Sequence, residues 1–216
     1  MIKKIKSFFS GFQKDNIIRL SVKNLDDLKY FNTAKQIFIY FQNQNYKLKL
    51  VGGCVRKLIT EEKIDDMDIA INIEPEKIKK VFVEQKIKFV ETGIKYGTIT
   101  ALINDFKFEI TSLRKDLSTD GRHAKVEFTS NWEQDAQRRD FTINAIYSDI
   151  SGEVYDPLNG IEDLKNGIIK FIGDPNRRIQ EDYLRILRYL RFYTQYNKNK
   201  FHDEIAIKAI KRNLDG

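Results

Sequence analysis

Two aspartates are the first residues of this sequence whose types and spacing could perform chemistry. Asp66 and Asp68 are separated by one residue, and the run from Asp66 to Ile71 alternates as a β-strand does. Because successive side chains of a strand point to opposite faces, both carboxylates should project from one face, with Met67 and Ile69 on the other. Adjacent carboxylates favour a bound cation, and oxygen ligands suit Mg²⁺. On its own the pair is a weak signal, since an acidic surface turn has the same sequence.

Glu109 could add a third carboxylate to this pair. In the run from Phe106 to Thr111 apolar residues alternate, and Glu109 falls on the face opposite to them. A neighbouring strand could bring Glu109 beside Asp66 and Asp68. Two metal ions held there could activate a hydroxyl and stabilise the leaving oxygen of a phosphoryl transfer. The alternative for Glu109 is a solvated strand face.

A pair of glycines provides a candidate phosphate contact. Gly52 and Gly53 follow the alternating run 47–51 and precede a helix-like segment over 54–60. Glycine lets backbone N–H groups approach a phosphate closely, and a helix N-terminus favours an anion. Arg56 is placed to contact phosphate or to hold the turn. An ordinary tight turn is the alternative interpretation of the glycine pair.

The elements that must position these residues follow an α/β pattern up to about residue 150, and a helical pattern after it. The predicted elements are a helix over 25–46, strands over 47–51, 66–71, 98–102 and 106–111, a helix from Pro75, a hairpin over 150–155 and helices over 179–196 and 203–213. The polar stretch 115–125 predicts a mobile loop.

Charge and cysteine content limit the classes of function. The 38 Lys and Arg residues outnumber the 31 Asp and Glu residues, and the net charge of +7 favours an anionic partner such as nucleic acid. Lys-rich sequences are also basic without binding nucleic acid, so charge alone leaves both interpretations open. The single cysteine, Cys54, excludes a disulfide within the chain and suits a reducing compartment, so we expect a cytoplasmic protein.

The histidine and cysteine counts also constrain any bound metal. Two histidines and one cysteine are too few for a zinc site built from nitrogen and sulfur ligands, so a metal should be hard and held by oxygen. No run of 18 apolar residues occurs, and we expect no membrane partner.

Several motifs in order make the sequence resemble the class II CCA-adding enzymes, which are tRNA nucleotidyltransferases, and their relatives the bacterial poly(A) polymerases. The family has a Gly-Gly-x-Val-Arg-Asp turn and then an Asp-x-Asp strand, similar to Gly52–Arg56 and Asp66–Asp68 here. The other similar segments are Gly93–Thr98, Glu109–Arg114, Arg138–Ala145, Asp156–Leu164 and Glu181–Phe192. The resemblance covers about residues 34–196, and several motifs in order are far more specific than any one of them.

The resemblance implies an α/β (α+β) nucleotidyltransferase head of the polymerase-β type with a small mixed sheet, followed by an all-helical neck. Its implied limits are an N-terminal extension over 1–33, a head over 34–150 and a neck over 151–216. The implied reaction is attack of the tRNA 3′-hydroxyl on the α-phosphate of CTP or ATP, with release of pyrophosphate. The implied catalytic residues are Asp66, Asp68 and Glu109, the first two holding Mg²⁺, and the implied nucleotide-binding residues are Gly52, Gly53, Arg56, Arg139, Asp182, Arg185, Arg188 and Arg191.

The predicted helix over 179–196 offers a way to select the base. Its apolar arc is predicted to contain Tyr183, Ile186, Leu187, Leu190 and Tyr193, and charged residues occupy the rest. A carboxylate accepts from the amino group of cytosine or adenine, and arginine donates to ring acceptors, so Asp182 and Arg185 could act as a protein template. A solvated arginine face is the alternative.

Two departures from the family pattern affect these expectations. Lys57 stands where the family usually has aspartate after Val-Arg, which reverses a charge beside the nucleotide site. Family members also continue into helical body and tail regions that grip tRNA, and without them we expect weak tRNA binding.

Other functions remain open at this point. Within the same chemistry, a poly(A) polymerase or a specialised CC-adding or A-adding enzyme fits the motifs. A non-catalytic RNA-binding protein on the same fold would explain Lys57 and the short chain, but the intact Asp66, Asp68, Arg139, Asp182 and Arg185 argue against it.

Overall fold

The computed structural model describes residues 19–21, 25–120, 123–197 and 202–214, so most of the predicted N-terminal extension lies outside the described residues. The helices are α1 (Leu25–Gln42), α2 (Gly53–Thr60), α3 (Pro75–Glu84), α4 (Trp132–Gln137), α5 (Gly160–Asn166), α6 (Pro175–Glu181), α7 (Leu184–Tyr196) and α8 (Glu204–Arg212), with 3-10 turns at Ile94–Tyr96 and Thr142–Asn144. In the described part of the chain, no helix is long and apolar enough to cross a membrane.

A mixed sheet carries the predicted site. The strands are β1 (Leu48–Val51), β2 (Asp68–Ile71), β3 (Lys88–Gly93), β4 (Thr98–Ile103), β5 (Phe106–Ser112), β6 (Arg114–Asp120), β7 (His123–Phe128), β8 (Tyr147–Ser148) and β9 (Val154–Tyr155). Seven of them pair in the order β3-β4-β5-β2-β1-β8-β9. Strands β2 and β5 run parallel, whereas β1 pairs antiparallel with both β2 and β8. The predicted mixed sheet is therefore confirmed.

The central strands are held by apolar burial on both sides. Ile69 and Ile71 of β2 are fully buried, as the alternation from Asp66 predicted, and Met67 just before the strand is 1 % exposed. Helix α1 packs against the sheet through Phe38 and Phe41, which are fully buried at helical spacing. Burying each such side chain contributes roughly 1.5–3 kcal/mol, which makes β2 a rigid support for the carboxylates at its start.

The predicted mobile loop over 115–125 is wrong as a description of secondary structure. Strands β6 and β7 form an antiparallel hairpin whose register runs from Arg114 opposite Phe128 to Asp120 opposite His123. The polar sequence hid this hairpin, because its ladder uses backbone groups and needs no continuous apolar face.

The predicted helix over 179–196 is also corrected. It is broken at Asp182, whose φ of −160° and ψ of 106° are extended, so α6 ends there and α7 starts two residues later. The predicted apolar arc is largely outside the core: Leu187 is 63 % exposed and Leu190 is 44 % exposed. The buried residues of α7 are instead Tyr189, Phe192 and Tyr196, which pack with Phe141 and Phe171 in a second apolar cluster. Contacts with aromatic residues of other segments determine which face of α7 is buried. The periodicity of apolar residues could not show that the aromatic rings, rather than the leucines, would be buried.

Candidate active site

The glycine turn connects β1 to helix α2. Gly52 has a φ of 71°, a left-handed conformation that residues with a side chain rarely adopt. A Cβ atom built on Gly52 would lie 3.7 Å from Arg139 Nη1 and 4.0 Å from Asp68 Oδ2. A Cβ atom built on Gly53 would lie 3.8 Å from Asp66 Oδ1. The backbone of the turn therefore lies directly beside both aspartates of the Asp-x-Asp pair.

The carboxylates meet at the start of β2. Asp68 is the first residue of the strand and pairs in register with Glu109 of the parallel strand β5. Asp66 precedes the strand, and its side chain is 64 % exposed. Burial, together with the negative charges of Asp66 and Glu109, raises the pKa of Asp68 to about 6. A divalent cation would relieve this repulsion, since a positive charge favours the ionised carboxylates.

The donor set fits a hard divalent cation. Among the residues that the structure describes, no three His, Cys, Asp or Glu side chains form a group that could hold a metal ion. Mg²⁺ usually takes one or two protein carboxylates and completes its shell with water and substrate phosphates, so Asp66 and Asp68 suffice as a protein ligand set. Whether Glu109 joins them stays a prediction.

Lys57, the charge reversal noted in the sequence, lies against these carboxylates. Its ammonium group bonds closely to Asp65 Oδ1 and lies 3.3 Å from Asp66 Oδ1, and its side chain is only 15 % exposed. The sequence raised the question of Lys57 without showing its partners, because Asp65 and Asp66 reach it only through the fold of the 61–67 segment.

Arg139 is held in place beside Gly52 of the glycine turn. Its guanidinium donates to Asp135 Oδ2 from Nη2 at 3.1 Å, and to the Tyr147 hydroxyl from Nε at 3.2 Å. Asp135 is buried, which would raise its pKa, but the charges of Arg139 and Arg138 lower it to about 2. Asp135 therefore stays ionised at neutral pH and holds Arg139 in one orientation.

Arg56 joins the glycine turn to helix α7. It bonds to Asn144 Oδ1, and its guanidinium carbon lies 4.7 Å from the centre of the Phe192 ring and 5.2 Å from that of Tyr196. The residue is 6 % exposed. Of the two roles expected for Arg56, these contacts support holding the turn.

An ion pair between the buried Asp140 and the half-exposed Arg188 joins the Arg138–Ala145 segment to the same helix. Asp140 Oδ2 accepts from Arg188 Nε at 2.6 Å, while its Oδ1 accepts from Asn144 Nδ2 and the Phe141 N–H at 2.8 Å. Burial acts to raise the pKa of Asp140, but the Arg188 charge and these hydrogen bonds hold it below its usual value. The carboxylate is thus fully bonded.

The predicted template residues lie at the α6–α7 junction. Asp182 Oδ1 accepts from the Leu184 N–H at 3.0 Å, so Asp182 helps to start α7. Arg185 Nη1 donates to Glu181 Oε2 at 2.7 Å and to the carbonyl of Arg178 at 2.6 Å. Arg185 is therefore held by the protein itself rather than free in solvent.

One open cleft of about 590 Å³ collects these groups. All eight predicted nucleotide-binding residues line it, together with Asp66 and Asp68, whereas Glu109 does not. The sequence assigned no role to the other lining residues, which are Arg114, Asp116, Arg138, Asp140, Asn144, Glu181, Leu184 and Phe192. Several of them lie inside the motifs quoted above, so their place in those motifs was the signal that could have predicted them as site residues.

Comparisons with known proteins agree with this geometry. The chain is 45 % identical over 184 residues to the human protein named CCA tRNA nucleotidyltransferase 1, mitochondrial. This alignment covers 84 % of this chain and 42 % of the human protein. It is 37 % identical to a CCA-adding enzyme of Lactobacillus helveticus, over 90 % of this chain and 47 % of that one. The chain thus spans less than half the length of these relatives.

Solved structures and a family profile give the same result. The Bacillus stearothermophilus CCA-adding enzyme in complex with CTP has a TM-score of 0.74 and 32 % identity, over 86 % of this chain and 44 % of that one. The profile of the poly A polymerase head domain matches residues 48–170, which is more than half of the 216 residues. The chain therefore belongs to the poly A polymerase head domain family.

Proposed function

We propose that the chain carries the catalytic part of a tRNA nucleotidyltransferase, which adds CMP and AMP from CTP and ATP to the 3′ end of tRNA and releases pyrophosphate. The observation that carries the proposal is the convergence of the glycine turn, Asp66, Asp68 and Arg139 on one cleft. The names of the relatives, which are CCA-adding enzymes, support CCA addition over other uses of this chemistry.

The metal implied by the family is a divalent cation, and we propose Mg²⁺ held by Asp66 and Asp68. When bound, it would help to activate the attacking hydroxyl and stabilise the leaving oxygen. Asp68 is fixed by β2, and Asp66 lies next to Gly53 just before the same strand, so both carboxylates line one cleft. Glu109 is proposed to add negative charge beside Asp68.

Arg139 is the residue best placed to bind the triphosphate. Asp135 and Tyr147 hold the Nε and Nη2 side of its guanidinium, while Nη1 lies beside Gly52 and donates to the Asn144 carbonyl at 3.5 Å. A guanidinium fixed in this way presents a permanent charge to phosphate oxygens without losing side-chain freedom when the ligand binds. Gly52 and Gly53 of the glycine turn line the same cleft.

Asp182 is the proposed selector of the base. It lines the cleft, and one of its two carboxylate oxygens is used by the Leu184 N–H. The other can accept from the exocyclic amino group of cytosine or adenine, whereas guanine and uracil present a carbonyl that the carboxylate repels. Arg185, held by Glu181, would donate to the ring acceptor of the same base. Arg188 and Arg191 line the cleft beside them.

The RNA should approach from the side of β5. Because the sheet order is β5-β2-β1, the carboxylates at the start of β2 separate the glycine turn on β1 from β5. Lys29, Lys63 and Lys107 line a groove of about 450 Å³ on that side, where they outnumber the carboxylates of Asp65 and Asp105. Three ammonium groups near an RNA backbone would supply sequence-independent attraction, as phosphate contacts do.

The test of this function uses a tRNA that lacks its terminal CCA, Mg²⁺, and CTP and ATP supplied separately and together. We expect C-C addition with CTP alone and complete C-C-A addition with both, seen as discrete product lengths on a sequencing gel. A long A tail would instead identify a poly(A) polymerase, and addition that stops at C-C with both nucleotides would identify a CC-adding enzyme. Nucleotide binding without incorporation would favour the non-catalytic RNA-binding alternative.

We also propose a cytoplasmic location for the chain. Cys54 is a buried free thiol, which agrees with a reducing compartment. Three mammalian and fish relatives carry the word mitochondrial in their names, so fractionation of source cells with antibody detection is the deciding measurement.

A further inference from the structure

Lys57 is placed on α2 so that its side chain reaches the metal-binding carboxylates. It lies one helical turn after Gly53, on the same side of the helix, and Gly53 itself faces Asp66 Oδ1. The side chain is 15 % exposed, so its ammonium group is confined to the space between α2 and the segment that carries Asp65 and Asp66.

The ammonium group contacts one of the two proposed metal ligands. It lies 3.3 Å from Asp66 Oδ1, the same oxygen that lies nearest to Gly53, and it bonds closely to Asp65 Oδ1. Asp65 and Asp66 are 74 % and 64 % exposed, so water could solvate both of them without Lys57. An ion pair with such exposed partners contributes little to folding stability, which leaves its effect on the site as the larger consequence.

We propose that Lys57 is a resident counter-ion of the metal site: it neutralises Asp66 before a divalent cation binds, and the cation must displace it from Asp66 Oδ1. Lys57 thereby weakens divalent-cation affinity relative to a neutral or acidic residue at this position. Asp65 acts in the opposite direction, because it offers the displaced ammonium group a second carboxylate.

The charges that face Lys57 support this competition. Asp65, Asp66 and Asp68 supply negative charge, and Arg139 supplies the other positive charge that acts on Asp68. A unit charge that close to a doubly charged ion changes binding strongly even in water-like surroundings, and more in a partly buried cleft. Removing it should therefore be visible in metal binding itself, whatever its effect on catalysis.

The experiment measures Mn²⁺ dissociation constants by electron paramagnetic resonance on the full chain without nucleotide. We expect Lys57→Met to bind Mn²⁺ about tenfold more tightly than the wild type, and Lys57→Asp, the residue usual in the family, about a hundredfold more tightly. Asp65→Asn should weaken binding by about threefold, because Lys57 then has only Asp66.

The matched control is Lys79→Met. Lys79 has a similarly shielded side chain, 28 % exposed, and pairs with Glu91 at 2.9 Å and Glu76 at 3.4 Å, but it does not line the cleft. This substitution removes the same charge from the chain, so the Mn²⁺ affinity of the variant should equal that of the wild type. Circular dichroism and thermal melting of each variant establish that the fold is retained.

This inference rests on the proposed metal site, and the two fail in different ways. Measurable Mn²⁺ binding that is equal in wild type, Lys57→Met and Lys79→Met would overturn the role of Lys57 and leave the site intact. Mn²⁺ binding that survives Asp66→Asn/Asp68→Asn unchanged, or that is absent from every variant, would overturn the metal site and the inference together.

Discussion

The two walls of the cleft are built in opposite ways. On the sheet wall, Asp66 is largely exposed, and Gly52 and Gly53 offer backbone rather than side chains. On the helical wall, charges are already paired with one another, as Arg188 is with Asp140. The sheet wall therefore leaves room for a cation and phosphates from outside, whereas Arg188 and Arg185 of the helical wall already have carboxylate partners in the folded chain.

This difference separates binding from positioning. A largely exposed carboxylate such as Asp66 can be removed at little expense in folding free energy, even though Lys57 pairs with it, yet its loss removes a ligand contact. A fully bonded buried group acts in the reverse way, because its removal leaves partners unsatisfied. Substitution of the exposed Asp66 on the sheet wall and of the fully bonded Asp140 on the helical wall should therefore have opposite effects on activity and on stability.

The largest effect is expected at Asp66. Asp66→Ala should lower nucleotide incorporation by roughly a thousandfold or more, because it removes a ligand of the proposed cation. The free energy of unfolding should change by less than about 1 kcal/mol, since the side chain is 64 % exposed. Single-turnover incorporation of labelled CMP and urea denaturation measure the two quantities. Near-normal incorporation by this variant would refute the metal assignment.

Asp140 should show the reverse pattern. Asp140→Ala leaves the Asn144 amide and the Phe141 N–H without their acceptor, while the 44 % exposed Arg188 can still be solvated, so we expect a loss of about 2 kcal/mol in the free energy of unfolding. The control is Glu127→Ala, which breaks the exposed pair with Lys115 and should change stability by less than about 1 kcal/mol. Equal stabilities of the two variants in urea would show that the helical wall is not held by this pair.

Asp68 gives the pH dependence of the sheet wall. Its pKa is raised from 3.8 to about 6, so in the folded state without divalent cations its ionisation opposes folding. The folded chain binds the Asp68 proton more tightly than the unfolded chain does. The stability that this proton contributes is fully present below pH 3.8 and is lost as the pH rises through 6. Asp68→Asn should therefore be about 1–3 kcal/mol more stable than the wild type at pH 8 in EDTA, with no difference near pH 4. A stability difference that is independent of pH, by denaturation at both values, would contradict this assignment.

Asp182 should affect choice of nucleotide more than stability. Asp182→Ala removes the proposed acceptor for the amino group of cytosine and adenine, and we expect the preference for CTP over UTP to fall by about tenfold or more. Competition between CTP and UTP for one tRNA acceptor measures this ratio. If the ratio is unchanged, the template role of Asp182 is wrong.

The smallest effect is expected in the lysine groove. Changing Lys63 to alanine should weaken tRNA binding a few-fold and reduce the dependence of log Kd on log salt, by about 0.7 for each single-stranded phosphate that Lys63 neutralises. Lys80→Ala on α3, which lies outside the groove, is the control. CTP binding should not change in either variant, and an unchanged tRNA salt dependence for Lys63→Ala would remove the groove from the RNA path.

Local pattern was enough to predict the sheet wall. Alternation placed Met67 and Ile69 in the core, and the glycine pair fell at a strand-to-helix turn, because period and turn chemistry are encoded by neighbouring residues. The helical wall was less predictable. Asp182 breaks the helix, because its carboxylate accepts from the Leu184 N–H. The spacing of apolar residues does not show whether an aspartate will continue a helix or cap the next one.

Other parts of the site depend on contacts between distant segments. The pairing of Arg188 with Asp140 spans 48 residues, and that of Arg56 with Asn144 spans 88. The predicted domain limits of 34–150 and 151–216 stay predictions, although β9 continues the sheet past residue 150. Lys57 was visible as a departure, but its partners became known only from the fold.

The central claim is that Asp66 and Asp68 form a metal-dependent site for nucleotide addition to tRNA. The most direct measurement is the intact mass of a tRNA lacking CCA after incubation with the chain, CTP and ATP, with Mg²⁺ or with excess EDTA. We predict a mass increase of two CMP residues and one AMP residue with Mg²⁺ and no increase with EDTA. The same increase in EDTA, or no increase under either condition despite bound nucleotide, would contradict the claim.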